Sequence, residues 1–198
     1  PEAWRRFRAY DHGRDHPAVC LWGAVDHDGR LWVYRELSVR GMDVDQIAAE
    51  INRLSAGETY EYSVADPAIF AATGFVDRAG GQTLAESFAR HGIVFAPASN
   101  RRIDGWSLFH TYLRHDTMRT PKLVFFNTCI ETIRTIPALI HDDVRPEDVK
   151  KANDDQADAC RYLLMSLHER SSPRPLNETE LKLKRMNESQ AFNPAKAN

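Results

Sequence analysis

Apolar and polar positions alternate through the first forty residues, and the period changes after that. RFRAYDHG, from Arg6 to Gly13, has strand-like alternation that ends in a loop. AVCLWGAV, from Ala18 to Val25, is a second apolar run. The turn DHDG, from Asp26 to Gly29, leads into a third, RLWVYREL, as a hairpin requires. Three consecutive strands joined by short turns predict an antiparallel meander. The period then becomes helical: Val44, Ile47, Ala48, Ile51 and Leu54 share one face, with Gly57 just beyond.

From there strands and helices take turns. EYSVADP reads as a strand, Leu84, Ala85 and Phe88 as a helix closed by Gly92, and GIVFAPA as a further strand. Trp106, Phe109 and Leu113 predict a helix after the GW pair, KLVFF a short strand, and Thr128 to Ile136 a helix stopped by Pro137. Ala138 to Lys151 reads as charged loop, and Ala157 to Leu167 as a last helix with Cys160, Leu163, Leu164 and Leu167 on one face. This order predicts an α/β domain over residues 1–170, a mixed sheet with helices on both faces. Residues 171–198 are polar and Pro-bearing, and are expected to form a mobile tail or weak helix.

Composition narrows the class only a little. A formal net charge of -2 means that a polyanionic partner must be met by a local basic patch. The three cysteines, Cys20, Cys129 and Cys160, have no metal-knuckle spacing and suit a reducing compartment. No apolar run is long enough to span a membrane, and no signal-peptide core follows the N-terminus. The chain lacks a starting Met, so a piece of a longer protein is expected.

The candidate chemistry is acidic. Asp11 closes the first strand, Asp66 closes the strand after the first helix, and Asp158, preceded by Asp154 and Asp155, opens the last helix. Pro67 ends its strand and holds Asp66 at the strand mouth. Clustered carboxylates need a proton or a cation, and hard divalent ions prefer carboxylate oxygen. Two such ions would activate water and stabilise the leaving oxygen of a phosphodiester. Each Asp taken singly also has an ordinary explanation as a helix cap or turn starter, and periodicity alone does not bring the three together.

Cations able to face phosphate are Arg101 and Arg102 in SNRRIDGW, Lys150, Lys151 and Arg161. Lysine and arginine pairs are more often solvated surface, and Arg161, three residues after Asp158, is also placed to hold an acidic residue in position. His12 and His16 have HxxxH spacing, but on a chain leaving a strand through Gly13, which disfavours a zinc pair. Trp22, Trp32 and Trp106 read as packing residues, and Cys160 as inert core.

An ordered series of segments resembles the C-terminal nuclease domain of the large terminase subunit of tailed bacteriophages, an RNase H-like fold. RRFRAYDHG with HPAVCLWGAVDHDGRLWVYREL looks like the family's opening strand, Asp and hairpin, and SVADPAIF like its second acidic motif. LAESFARHGIVFAPASNRRIDGW, LVFFNTCIETIRTIPAL and DDQADACRYLLMS resemble the segments that follow, so the likeness runs from Arg5 to Leu167. It implies a metal-dependent endonuclease that cuts concatemeric viral double-stranded DNA with two Mg2+ or Mn2+ ions. Asp11, Asp66 and Asp158 match the family's acidic positions. Many relatives carry His where this chain has Asp155, which makes Asp155 a further candidate ligand.

The resemblance also implies an N-terminal ATPase domain in the same protein, portal and small-terminase partners, and the cytoplasm of the infected bacterial host. No GxxxxGK[ST] loop occurs in this chain, so ATP hydrolysis is not expected of it. Two alternatives stay open: another RNase H-like nuclease, such as a junction resolvase or transposase core, and a non-catalytic docking domain of the packaging motor.

Overall fold

The computed structural model describes residues 2–13, 16–72, 83–115, 117 and 120–171. The expected meander is present: β1 (Arg5–Asp11), β2 (Ala18–Val25) and β3 (Leu31–Val39) pair antiparallel in sequence order. Gly29, at a φ of 75°, adopts the left-handed conformation needed to close the β2–β3 turn. α1 (Val44–Leu54) follows the predicted apolar spacing and buries Ile47, Ala48 and Ile51. Its start is fixed by a capping box in which Asp43 accepts from the Gln46 amide and Gln46 reaches back to the Asp43 amide.

β4 (Tyr62–Ala65) lies parallel to β1, and β6 (Leu123–Phe125) parallel to β3. Among the described residues the sheet has six strands, with β5 (Ala96–Pro97) at one edge, in the order β5-β4-β1-β2-β3-β6. Helices cover both faces. On one side Tyr10, Cys20 and Trp22 pack against α1 and α2 (Leu84–Arg90). On the other, Phe7, Ala9, Val19, Leu21 and Val64 pack against α3 (Arg102–Leu113) and α5 (Asp155–Ser171). α4 (Ile130–Thr135) is capped from a distance, because the Glu36 carboxylate on β3 accepts from the amides of Glu131 and Thr132.

Several elements differ from the sequence expectation. β5 is only Ala96–Pro97, since Pro97 has no amide to donate and its partner β4 stops before Pro67. α3 begins at Arg102 rather than after the GW pair, so Gly105 lies inside it. The helix expected over Thr128–Ile136 is shorter, and Pro137 sits in a 3-10 turn, Ile136–Ala138, instead of ending the structure. The charged loop contains a β-bridge between His141 and Val149.

α5 is the central pillar rather than a one-sided amphipathic helix, because residues from Ala157 to Leu167 are buried around most of its circumference. Gly23 permits its close approach: a Cβ there would lie 2.6 Å from the Leu163 side chain. The compact unit holding the sheet runs from Pro1 to Leu167. A second unit, His168–Asn198, comprises the last turn of α5 and residues 172–198, and the expected polar tail lies outside the described residues. No helix among the described residues is long and apolar enough to cross a membrane.

Candidate active site

Parallel pairing sets the first two carboxylates side by side. Tyr10 is in register with Ala65, and the next amide, that of Asp66, donates to the Tyr10 carbonyl at 3.0 Å. Side chains alternate along a strand, so Asp11 follows Phe7 and Ala9 onto the α5 face, while Tyr10 points to the α1/α2 face. Asp66 follows Tyr62 and Val64 to the same side. Pro67 stops β4 here, and the Asp66 carboxylate caps the 3-10 turn that begins at Pro67, accepting from the Ala68 amide at 2.9 Å. The strand that reads as ending on Asp66 therefore does so at the sheet's mouth, beside the end of β1.

The third side of the site is the N-terminal turn of α5, which carries Asp155 and Asp158, with Asp154 immediately before it. Asp158 is gripped at both oxygens: Arg102 Nη1 donates to Oδ2 at 2.7 Å and Arg161 Nε to Oδ1 at 2.9 Å. Arg102 also pairs with Asp148 at 3.0 Å and Asp154 at 3.3 Å. Trp106 Nε1 donates to the same Asp148 oxygen at 2.8 Å.

Electrostatics separates Asp11 from this paired group. It is 9% exposed. Burial, reinforced by Asp158, Asp66, Asp155 and Asp154, pushes its carboxyl from the ordinary 3.8 up to about 8. Asp154 is also raised, by burial and by Asp158, against the pull of Arg102. Asp155 is raised by burial, partly offset by His16. Burial works against the charge on Arg102, yet Asp158, Asp148 and Asp154 together hold it firmly protonated. The Tyr162 phenol, buried beside the same carboxylates, is raised as well and stays un-ionised at neutral pH.

Among the described residues no three His, Cys, Asp or Glu side chains are arranged as a ready-made ion cage. The oxygens of Asp158 face guanidinium groups. The donor chemistry nonetheless fits a hard cation. Asp11 and Asp66 offer carboxylate oxygen, and a divalent ion would neutralise the negative charge that, after burial, pushes the Asp11 carboxyl upward. Water and substrate phosphate are the usual remaining ligands of such an ion.

The candidate DNA contacts divide. Arg161 is 0% exposed and donates to Asp158, the holding role its spacing allowed. Arg102 is partly buried, and its donors are taken up by Asp148, Asp154, Asp158 and the Val149 carbonyl. Arg101 and Lys151 are exposed, Arg101 lying 3.3 Å from Asp104, and Lys150 pairs with Asp143 at 2.7 Å. His12 shares a hydrogen bond with the Tyr10 hydroxyl at 2.7 Å through Nδ1, while His16 is exposed. Trp22 and Trp106 are buried, Trp32 is half-buried, and Cys160 lies fully in the core. Asp148 joins the site from a stretch whose sequence reads only as charged loop. Nothing in its local sequence marks it, because its partners come from α3.

An antiparallel meander flanked by parallel strands, helices on both faces and acidic residues at adjacent strand ends define an RNase H-like domain. The sequence matches the family described as Terminase RNaseH-like domain over residues 8–167. The chain belongs to that family, and its fold is that of the large-terminase nuclease domains. The P22 large terminase nuclease domain superposes with a TM-score of 0.66 at 19% identity, covering 85% of this chain and 84% of that one. The nuclease domain of the large terminase from bacteriophage SPP1, with bound Mn, gives 0.59 at 14% identity, covering 80% and 84%. The large terminase of a thermophilic bacteriophage gives 0.66 at 17% identity, covering 85% of this chain and 41% of that one. This chain thus spans about two fifths of the length of that thermophilic phage protein. No curated protein sequence matches.

Proposed function

We propose that this domain is the metal-dependent endonuclease of a viral DNA-packaging terminase, hydrolysing phosphodiesters in concatemeric double-stranded DNA. The observation that supports it best is the convergence on Asp11: a buried carboxyl at a strand end, driven upward by burial and by carboxylates from β4 and α5. Like charges are gathered at such expense where a cation is meant to enter. Asp11 and Asp66 would hold the first of two Mg2+ or Mn2+ ions, with Asp155 and Asp158 flanking. The SPP1 relative is described with bound Mn, in line with that choice. Bound there, divalent ions lower the pKa of water and offset charge on the leaving oxygen.

The protein's own residues set the geometry. β1 and β4 fix the carboxylate pair, and the α5 face closes one wall of the site. The exposed Arg101 and Lys151, with Lys150, would meet the DNA backbone without reading bases. In the whole protein the partners would be an ATPase domain on the same chain, the portal and the small terminase subunit. Its place would be the cytoplasm of the infected host.

Plasmid nicking with Mg2+ or Mn2+ tests the reading. Wild type should cut, and Asp66→Ala should lose at least about 100-fold, the upper range for removing a residue that merely supports a metal ligand. Undiminished cutting by the variant would remove Asp66 from the mechanism. Branched DNA cut in preference to linear duplex would favour a resolvase-like enzyme. One observation favours a docking role: an apolar groove of about 490 Å³ is lined by Trp106, Phe109, Leu113, Phe125, Ile136 and Ile140. Absence of metal-dependent cutting by the wild type would leave docking as the surviving function.

A further inference from the structure

We propose that β6 receives an extended segment of a partner protein as a further strand of the sheet. Apolar side chains of that segment alternate into a recess on each face, and an acidic residue meets the Lys122 end. This goes beyond the nuclease reading and does not rest on it, because β2 and β3 separate β6 from the strands that carry Asp11 and Asp66.

β6 stands last in the strand order. Two hydrogen bonds fix its phase: the Leu31 amide donates to the Lys122 carbonyl at 2.7 Å, and the Phe126 amide to the Val33 carbonyl at 2.9 Å. Backbone groups alternate in direction along a parallel ladder. Val124 therefore turns its amide and carbonyl to β3, while Leu123 and Phe125 turn theirs outward. The Lys122 amide is taken by the Tyr112 carbonyl at 2.7 Å, which closes the open stretch at that end. No strand among the described residues pairs with this outer side. The opposite edge is blunted, since β5 is only Ala96–Pro97 and Pro97 has no amide to donate.

An apolar recess flanks the edge on each face. On the α3/α5 face Phe125 forms one wall of the groove of about 490 Å³, with Leu113, Ile133 and Ile140 among the others. On the other face Phe126 closes a notch of about 200 Å³ with Trp4, Trp32 and Tyr34. Its ring stands edge-on to Trp32 at 6.2 Å and to Tyr34 at 6.4 Å. Phe126, Ile133 and Ile140 are 44%, 43% and 63% exposed, so large apolar side chains face water on both sides of one unpaired strand. Strand addition uses that combination: the edge supplies main-chain hydrogen bonds, and recesses on opposite faces take alternate side chains.

Charge and packing select the occupant. Arg114, His115 and Lys122 are exposed where the end of α3 meets the start of β6. Leu113 lines both the groove and the recess that holds Arg114 and His115, so an acidic residue on the incoming segment complements that end. A second copy of β6 fits less well. Its backbone could pair, but Leu123 is 2% exposed in its own core and has no side chain free to fill a neighbour's groove. A helix would fill the groove and leave the outward groups of Leu123 and Phe125 unpaired.

Selection of a displayed library of random peptides against the whole chain, followed by fluorescence anisotropy with the selected peptides, tests the proposal. The selected peptides should carry apolar residues at every second position and an acidic residue at one end. N-methylation of the alternate peptide amides that face β6 should weaken binding at least about tenfold, and methylation of the intervening amides should leave it unchanged. The Leu123 and Phe125 amides should gain protection from hydrogen exchange on binding. Ile140→Asp and Phe126→Asp, each checked for folding by circular dichroism, should each weaken binding at least about tenfold. Should either variant fail to fold, the N-methylation pattern and the exchange, both read on wild type, decide. A library that yields no binding peptide overturns the proposal. So does binding indifferent to which amides are methylated, the mark of a helical occupant. A wild-type dimer in sedimentation that Phe126→Asp dissolves overturns it too, by making a second copy the occupant.

Discussion

Asp11→Asn should stabilise the metal-free domain, and increasingly so as pH rises. The Asp11 carboxyl stands at about 8 in the folded chain against an ordinary 3.8. At about 1.4 kcal/mol per pH unit of displacement, its full ionisation in the fold costs up to roughly 6 kcal/mol. The folded state binds the extra proton, so the sign is fixed. The cost is absent below pH 3.8, grows between 3.8 and about 8 as stability falls, and is constant above. Asparagine keeps the shape and discards the charge, so wild type and variant should be closest below pH 4, already differ at pH 5, and stand furthest apart above pH 8. Urea denaturation in EDTA across that range measures the difference, which cancels other titrating groups. Millimolar Mn2+ should then reverse the order, because only wild type gains the binding energy of the ion. A wild-type-to-variant difference that does not change between pH 5 and pH 8 would refute the account of Asp11.

Gly105→Ala should destabilise by about 1–3 kcal/mol despite the better helix propensity of alanine, because the new Cβ collides with Arg161; chemical denaturation reads it. Glu36→Ala removes the distant cap of α4, which accepts from two amides and the Thr132 hydroxyl, and should cost about 1–2 kcal/mol, with faster hydrogen exchange confined to α4. Lys151→Glu should weaken DNA binding equally across sequences and lower the salt slope by about 1–2, measured by fluorescence anisotropy at several salt concentrations. An unchanged slope would place Lys151 outside the DNA path.

Sequence patterning revealed those parts of the fold that depend on local periodicity. The β1–β3 meander follows from alternation and the DHDG turn, and α1 from its apolar spacing and its Asp43 cap. Asp11 and Asp66 were legible because each closes a strand, and parallel pairing of β1 with β4 then sets them together. Features that depend on contacts between distant segments stayed hidden. Arg102 and Arg161 look like phosphate-facing cations until α3 and α5 are packed, when both turn to Asp158. Gly105 reads as a helix boundary, since its value lies in the Arg161 stem crossing it from another helix. The brevity of β5 depends on where its partner β4 stops, which its own apolar run GIVF does not express.

The most direct measurement is anomalous scattering from a crystal soaked in Mn2+. The account predicts a peak at the mouth of the sheet, bonded to oxygens of both Asp11 and Asp66. A soaked crystal in which manganese touches neither carboxylate would contradict it.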